Sequence, residues 1–222
     1  NFNLDIIYGL PNQTIEQALK DIDMALSFNS THLSAYNLTI EPNTEFAKFV
    51  PTNLPNDDLC YAMQDQIISR LNQHGLQRYE TSAYAKNNYQ SQHNLNYWQF
   101  GDYLGIGAGA HSKLSFHNQI LRQSRQKHPQ EYMKRVLINQ HILENSPVQT
   151  EDLALEFMMN ALRLSNGFNN KLFTETTSLA FNQILPQLLS AQEQGFLELT
   201  PNKIIPTTKG RDFLNNLLEI FM

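Results

Sequence analysis

The stretch that decides the fold is Asn3-Leu4-Asp5-Ile6-Ile7-Tyr8-Gly9-Leu10-Pro11, an apolar run that ends in a turn of Gly and Pro. It predicts a buried β-strand. Thr14 has the residue type and position of a helix N-cap, and further elements are predicted as a strand over 32–40, a helix over 57–73 and a strand over 76–84. Strands that alternate with helices are typical of a parallel sheet or barrel. The sequence therefore predicts an α/β fold.

The predicted sheet has too few strands to close a barrel by itself. The chain also opens directly on its first strand, whereas a natural N-terminus seldom begins inside a buried strand. We therefore expect a fragment of a larger barrel, and we expect its exposed sheet edge to lower its solubility.

Composition restricts the classes of function. Of the 222 residues, 41% are hydrophobic and 17% are charged, which is ordinary for a globular protein, and the net charge is −5 without a basic block. Nucleic-acid binding needs a patch of Lys and Arg, so we expect no nucleic-acid partner. No apolar run reaches the length of about 18 residues that a membrane span needs. The single cysteine, Cys60, excludes an internal disulfide and a cysteine-rich metal site, and it fits a reducing compartment.

The second half of the chain has a different pattern. From Tyr89 to about Arg125 it is rich in Gly, Asn and aromatic residues and lacks a helical period. Helices are predicted near 129–143, 151–164 and 179–194.

We predict two domains, residues 1–146 and 147–222. In the second, two short strands, Phe196–Leu199 and Lys203–Pro206, precede a helix that begins near Thr208. Helices followed by a small hairpin are typical of a winged helix.

The charge of this second domain argues against DNA binding. Residues 151–222 carry five Lys and Arg against eight Asp and Glu, a net charge of −3. A negatively charged module repels phosphates, so we interpret it as a packing or docking module.

Asp5 is a carboxylate within an otherwise apolar strand. Such a group is costly to bury unless it is paired or hydrogen-bonded. At the C-terminal mouth of a parallel barrel it would face a ligand, and elsewhere it would bond to the backbone of a neighbouring loop. The spacing alone leaves both interpretations open.

The run His93-Asn94-Leu95-Asn96-Tyr97-Trp98 combines an imidazole, carboxamides, a phenol and the only tryptophan, in sequence that does not indicate a regular element. A histidine can bind heme iron, and flat aromatic rings can stack on a porphyrin. From the residues alone, a loop anchored by its aromatic side chains is the simpler interpretation.

The run Gly105-Ile106-Gly107-Ala108-Gly109-Ala110 nominally fits a dinucleotide-binding fingerprint. However, the residues after it, Lys113–Phe116, alternate like a strand instead of starting a helix, and no acidic ribose partner follows. Gly105 and Gly107 are better explained by close approach of the backbone to a flat ligand. Of the remaining histidines only His111, directly after this run, is a candidate site residue.

Four stretches together resemble one family, the oxygen-independent coproporphyrinogen III oxidases of the radical-SAM superfamily (HemN-like proteins) and their HemW-like heme chaperone relatives. The resemblance extends essentially from end to end. It implies the C-terminal part of a partial (β/α)6 radical-SAM barrel followed by a small winged-helix-like α+β module. The stretches are Leu4-Asp5-Ile6-Ile7-Tyr8-Gly9-Leu10-Pro11, Leu38-Thr39-Ile40-Glu41-Pro42-Asn43-Thr44, Tyr79-Glu80-Thr81-Ser82-Ala83-Tyr84-Ala85 and Tyr103-Leu104-Gly105-Ile106-Gly107.

The run at 93–98 is similar to the HNxxYW motif of the HemW-like subgroup, which is associated with heme binding. The resemblance therefore implies that His93 is the iron ligand or an anchoring base. It also implies that Tyr97 and Trp98 wall the porphyrin and that Asn94 orients the segment.

The resemblance further implies binding of S-adenosylmethionine, with Asp5 as a charged acceptor and with Thr39 and His111 as weaker contacts. Gly105 and Gly107 would admit ligand or cofactor against bare backbone. The family's CxxxCxxC motif, which holds a [4Fe–4S] cluster, has no counterpart in the sequence, and Cys60 cannot substitute for it.

For the intact protein, the resemblance implies heme binding and delivery to a heme-requiring acceptor, such as a respiratory cytochrome subunit. It also implies a cytoplasmic location, without a membrane span, although peripheral association stays open. The chain alone is expected to be catalytically inactive. Two alternatives remain: an oxygen-independent coproporphyrinogen III oxidase, which shares the fold and cofactor, and an interaction module without a ligand.

Overall fold

The computed structural model describes residues 1–222, and these form two compact units, Asn1–Ser91 and Gln92–Met222. The domain boundary predicted after residue 146 falls within the second unit, and as a boundary between sequence domains it stays a prediction. Each unit is described by itself.

The first unit contains four strands and three helices. In chain order these are β1 (Asn3–Tyr8), α1 (Ile15–Ser27), β2 (His32–Asn37), α2 (Glu45–Lys48), α3 (Asp57–Gln73), β3 (Gln77–Arg78) and β4 (Ala83–Ala85).

Helix α1 begins where the sequence predicts it. The Thr14 side chain accepts a hydrogen bond from the Gln17 N–H at 3.3 Å, and the Gln17 side chain accepts one from the Thr14 N–H at 2.9 Å. This reciprocal pair is a capping box, which satisfies two backbone donors that have no partner within the helix.

The sheet of the first unit has the order β1-β2-β4-β3. Strands β1 and β2 are parallel, as predicted, with Asn3 opposite His32. The single strand predicted over 76–84 is wrong, because two short strands, β3 and β4, form an antiparallel pair there. The Arg78 guanidinium donates to the Thr81 carbonyl at 2.8 Å and so stabilises the turn between them. Because of this turn, β4 runs antiparallel to β2, which no βαβ repeat would predict.

The two faces of this sheet differ. One face carries Leu4, Leu33 and Tyr84 and packs on α1 and α3 around Ile22 and Ile67. Because side chains alternate along a strand, the neighbouring positions of β1 and β2 lie on the opposite face. That face is polar for most of its length and contains Asp5.

The second unit contains six strands, seven α-helices and a 3-10 helix (Phe181–Gln183). In chain order the others are α4 (Gln92–Trp98), β5 (His111–Phe116), β6 (Gln119–Arg125), α5 (Pro129–Val136), β7 (Ile142–Pro147), α6 (Thr150–Ala161), β8 (Phe168–Asn169), α7 (Asn170–Thr177), α8 (Leu185–Glu193), β9 (Leu197–Leu199), β10 (Lys203–Pro206), α9 (Thr208–Asp212) and α10 (Leu214–Glu219).

Strands β5, β6 and β7 form an antiparallel sheet in that order. The strand-like alternation at Lys113–Phe116 is thus confirmed as part of β5. The helix predicted to continue to residue 143 instead ends at Val136, and residues from Ile142 onward pair with β6.

The C-terminal part of the second unit has the order of elements of a winged helix. The predicted hairpin is confirmed as β9 and β10, and β8 adds a third strand on the other side of β10. Helix α7 was not predicted. The helix predicted over 179–194 begins at Leu185 because Pro186 occupies its first turn, where proline is tolerated. The final helix is interrupted at Phe213, whose backbone is not helical.

A single apolar core lies beneath these elements. Phe157 and Phe173 are fully buried and their rings meet edge to face at 5.2 Å, a favourable geometry for aromatic pairs. The mixed α/β architecture with a C-terminal winged-helix-like module confirms the predicted fold class. None of the helices combines the length and hydropathy of a bilayer-spanning segment.

Candidate functional site

The run that resembles the heme motif forms helix α4, which corrects the expectation of an irregular segment. His93 and Tyr97 are one turn apart, and their rings meet edge to face with centroids 4.9 Å apart at 77°. Leu95 and Trp98 lie on another side of the helix and pack against the core. The imidazole of His93 is exposed and makes no hydrogen bond, so its nitrogens are available to a ligand.

A chain of contacts holds Tyr97 in place. Its ring lies 4.5 Å from the ring of Tyr103, at 44°. The Tyr103 hydroxyl accepts a hydrogen bond from Arg122 Nη1 at 2.8 Å, and Arg122 pairs with Glu156 at 2.5 Å. The aromatic surface beside His93 is therefore supported from β6 and α6.

Trp98 lies where it contributes to the core. Its ring is half-buried, the Arg163 guanidinium lies 5.1 Å from its centroid, and its indole N–H is buried without a hydrogen-bond partner. Asn94, one turn earlier, is also half-buried. The predicted contact of these two residues with a porphyrin stays a prediction.

The segment after Tyr103 exposes large aliphatic side chains. The exposed fractions of Leu104 and Ile106 are 63% and 81%. Exposed apolar side chains that lie together mark contact surfaces more often than isolated ones do. This segment follows directly after Tyr103, whose ring contacts that of Tyr97 on helix α4.

The structure explains why residue 105 is a glycine. A Cβ at this position would overlap the backbone of His111, the first residue of β5. The Gly105 N–H donates to Ser112 Oγ at 2.9 Å, and its carbonyl accepts from Arg125 Nε at 2.7 Å. Gly107 has a φ of +104° and open space around it. The close approach predicted for Gly105 is therefore to β5, while contacts of Gly105, Gly107 and the exposed His111 with a ligand stay predictions.

A buried lysine anchors the start of this segment. Lys113 Nζ donates to Asp102 at 3.0 Å, to the Phe100 carbonyl at 2.9 Å and to Ser115 Oγ at 3.1 Å, and it lies 4.2 Å from the Phe100 ring centroid. Burial lowers the pKa of Lys113, although the bond to Asp102 opposes this. Burial alone would raise the pKa of Asp102, but hydrogen bonds from Ser115 and Lys113 outweigh it and hold that pKa below its usual value.

In the first unit, the candidate residues for S-adenosylmethionine lie on or just after the parallel strands. Asp5 is exposed on β1 and accepts a hydrogen bond from Asn3 Nδ2 at 2.8 Å. Thr39 is exposed two residues after β2, which ends earlier than predicted, and its hydroxyl donates to the Asn37 carbonyl at 3.3 Å. A carboxylate with one such bond keeps acceptor capacity for an amine or hydroxyls of a ligand.

The chain does not supply an iron–sulfur site. Cys60 is half-buried, burial raises the pKa of its thiol, and no group of three or more His, Cys, Asp or Glu side chains has metal-binding geometry. The thiolate is the metal-binding form of cysteine, so a thiol that stays protonated is a poor ligand. The residues present therefore do not fit a [4Fe–4S] cluster.

Sequence reasoning missed the residues that support the candidate site. Tyr103 and Arg122 act through contacts between distant parts of the chain, and no local pattern indicates them. A sequence signal does exist for Leu104 and Ile106, because they occupy every second position between Tyr103 and Gly107, as in a strand. The prediction for this segment used only its glycines and so did not single out these two side chains.

Comparisons with known proteins agree with this architecture. The HemN C-terminal domain family matches residues 148–213. The fold is that of the coproporphyrinogen III oxidase HemN from Escherichia coli, described as a radical SAM enzyme, with a TM-score of 0.75 and 20% identity over 99% of this chain and 54% of that chain. The chain is thus built like part of a HemN-type protein.

Within that class, the whole chain is similar to proteins named heme chaperone HemW. It is 44% identical to the protein of Escherichia coli strain K12 and 43% identical to that of Haemophilus influenzae, in each case over 100% of this chain. The chain spans 58% and 57% of the length of these relatives. It is also 34% identical to a mitochondrial radical S-adenosyl methionine domain-containing protein 1 of Dictyostelium discoideum. The predicted resemblance is confirmed, and it favours the HemW-like subgroup over HemN itself.

Proposed function

We propose that the protein containing this chain binds heme through helix α4 and transfers it to a heme-requiring acceptor. The observation that carries the proposal is the exposed imidazole of His93, whose nitrogens have no partner and whose ring lies against Tyr97. An imidazole nitrogen can bind heme iron, and an aromatic ring beside it can contact the porphyrin. The 44% identity to a heme chaperone over the whole chain supports the same function.

The neighbouring surface fits a large flat apolar ligand. Leu104 and Ile106 expose aliphatic side chains in the segment that follows Tyr103, and the Tyr103 ring contacts that of Tyr97. The backbone polar groups of Gly105 between them are satisfied by Ser112 and Arg125, so this segment can be covered by an apolar ring without leaving those groups unpaired.

The finer parts of the function belong to the same proposal. Asp5 would accept the amine or hydroxyls of S-adenosylmethionine, with Thr39 and His111 as further contacts. A [4Fe–4S] cluster would be held by parts of the protein outside this chain. The acceptor, such as a respiratory cytochrome subunit, and a cytoplasmic location rest on the family resemblance.

Heme titration of the full-length protein and its His93→Ala variant, followed by absorbance, tests the proposal. We expect the native protein to bind heme near stoichiometrically, and the variant to lose or alter the Soret band because the candidate iron ligand is gone. His117→Ala is a matched control, since His117 is also an exposed histidine of the second unit and lies in the turn between β5 and β6.

If His93→Ala and His117→Ala both bind heme as the native protein does, the α4 motif is structural. Conversion of coproporphyrinogen by the full-length protein would then be the activity to measure, because the HemN-like fold is compatible with it.

A further inference from the structure

His32 is a buried histidine that the proposed heme site does not use. It lies on β2 with 7% of its surface exposed, and both ring nitrogens are hydrogen-bonded. Nδ1 is 2.7 Å from Asn3 Oδ1, and Nε2 is 2.8 Å from the Tyr79 hydroxyl. Asn3 in turn donates to Asp5 at 2.8 Å. These residues form a continuous hydrogen-bonded network, here called the His32 network, that ends at the exposed carboxylate of Asp5.

The residues of the His32 network come together because of strand register. Asn3 lies opposite His32, and Asp5 lies opposite Ser34, in the parallel pair of β1 and β2. Alternate positions of neighbouring strands share one face of a sheet, so these side chains lie on the face opposite α1 and α3. Ser34 also donates to Asn3 Oδ1 at 3.3 Å.

For a neutral imidazole, the contacts of Asn3 decide which ring nitrogen of His32 carries the proton. The ionised carboxylate of Asp5 can only accept, so the amide nitrogen of Asn3 must face it, and Asn3 Oδ1 must face His32. An amide oxygen accepts, so His32 Nδ1 carries the proton. In a neutral imidazole Nε2 is then an acceptor, and the Tyr79 hydroxyl donates to it. The Tyr79 oxygen also accepts from the Ser91 N–H at 3.4 Å.

The surroundings of His32 favour this neutral form. Burial lowers the pKa of His32, although the charge of Asp5 opposes that shift. The imidazole therefore stays uncharged at neutral pH.

We propose that His32 is a positioning residue for Asp5: as the Nδ1–H tautomer it holds the Asn3 amide in the orientation that fixes the Asp5 carboxylate toward a cationic or hydroxyl-bearing ligand. This inference rests on the proposed role of Asp5 in binding S-adenosylmethionine. It does not depend on heme binding at α4. Without the bond from His32, the Asn3 side chain is free to leave Asp5, so the carboxylate loses a fixed donor and becomes less ordered.

The tautomer of His32 is a signature that a purely space-filling role would not produce. We expect the ¹⁵N chemical shifts of His32 near neutral pH to show a protonated Nδ1 and an unprotonated Nε2. In Asn3→Ala the acceptor for Nδ1–H is removed, and the Tyr79 hydroxyl can donate to or accept from Nε2, so the two neutral tautomers should become mixed. A His32 that is protonated at Nε2 in the native chain would overturn the proposal.

The functional half is tested by the affinity of the full-length protein for S-adenosylmethionine, measured by calorimetry. His32→Leu cannot donate to Asn3, and we expect its affinity to fall by about 3- to 10-fold, the effect of one lost hydrogen bond. His32→Asn restores a donor near the position of Nδ1, so it should recover most of the affinity. His74→Asn is the control, because His74 is an exposed histidine in the same unit that bonds only to the Arg70 carbonyl.

Asn3→Ala tests the same network independently, in case the His32 variants do not fold. Asn3 is exposed, so its removal leaves the core intact, yet it breaks the same network and should weaken binding by a similar factor. Unchanged affinity in both Asn3→Ala and His32→Leu overturns the proposal. If the native protein fails to bind S-adenosylmethionine, the positioning role is also overturned, whereas the heme titration of the His93 variant would still decide the proposed function.

Discussion

At the scale of single residues, the most constrained group is the buried ammonium of Lys113. Its partners Asp102, Phe100 and Ser115 all belong to the segment next to helix α4 or to β5 itself. Removing one partner of a buried ammonium leaves a buried charge with fewer hydrogen bonds. The free-energy cost of this loss is larger than the net free energy by which the intact pair stabilises the fold. The attachment of Asp102 to β5 therefore depends on its ionised carboxylate.

Asp102→Asn should lower the free energy of unfolding by about 1 kcal/mol at neutral pH, because the bonds from Ser115 and Lys113 lose their charge assistance, and partial exposure of Asp102 to solvent limits the effect. The folded-state pKa of Asp102 is lowered. Its contribution is therefore fully present well above the unfolded pKa of about 3.9 and is lost as the pH falls through the lower folded value. Urea denaturation of both proteins at pH 7 and pH 3 measures the difference.

The difference between the two proteins should be smaller at pH 3 than at pH 7, because pH 3 lies below the unfolded pKa of about 3.9 and part of the contribution is lost there. A difference that is the same at both pH values would contradict the assignment of the charge to this network. Glu131→Gln is the control, because its ion pair with Lys134 is exposed and should not change stability measurably.

Individual residues differ most in how far their roles can be predicted from the sequence. His93 could be singled out because its chemistry is combined with aromatic neighbours in one short run. Nothing local indicates that His32 contacts Tyr79, which is far from it in sequence. Asp5 could be recognised as unusual within an apolar strand, but the contact of its partner Asn3 with His32 depends on the register of β1 with β2, which the sequence does not specify.

At the scale of elements, helix α1 should depend on its N-terminal capping box. Thr14→Ala removes the acceptor for the Gln17 N–H, so we expect the first unit to lose about 1 kcal/mol of stability. Thr44→Ala should have a smaller effect, because Thr44 caps the four-residue helix α2, which has no buried residue. Urea denaturation compares the two variants, and equal effects would show that the cap of α1 is not important to packing.

Long elements were predicted well and short ones poorly. Helix α3 was predicted with the limits that it has, because seventeen residues repeat the helical period several times. Helix α4 has seven residues, too few for its period to stand out from its unusual composition. Strands β3 and β4 are shorter still, and the turn stabilised by Arg78 between them was mistaken for part of one strand.

At the scale of the whole molecule, β1 is at the edge of its sheet. An unpaired strand edge can pair with another chain, and Ile7 on this strand has 50% of its surface exposed. Ile7→Lys should therefore reduce self-association of the 222-residue chain, because a charge on an edge strand disfavours pairing.

Size-exclusion chromatography over a range of concentrations measures this association. Met24→Lys is the control, since Met24 is 60% exposed but lies on helix α1 and not on a strand edge. Equal association of the two variants would show that the edge of β1 is not responsible.

The overall class of fold could be predicted, whereas the pairing of strands could not. The alternation of strands and helices indicated the parallel pair β1 and β2, and the C-terminal hairpin indicated the winged-helix-like module. The antiparallel pairing of β4 with β2 and the sheet of β5, β6 and β7 depend on contacts between separate segments, which residue periodicity does not report.

The burial of Lys113 has a consequence for amine chemistry. An acylating reagent reaches exposed lysines such as Lys134 at once, whereas a side chain with 2% exposure reacts only after the surrounding residues separate. The rate of acylation of Lys113 therefore depends on how often residues 100–115 open. A flat ligand bound to Leu104 and Ile106 should stabilise the closed form of this segment and so slow the acylation of Lys113 without contacting it. The acylation rate of Lys113 would then report whether the neighbouring surface is occupied.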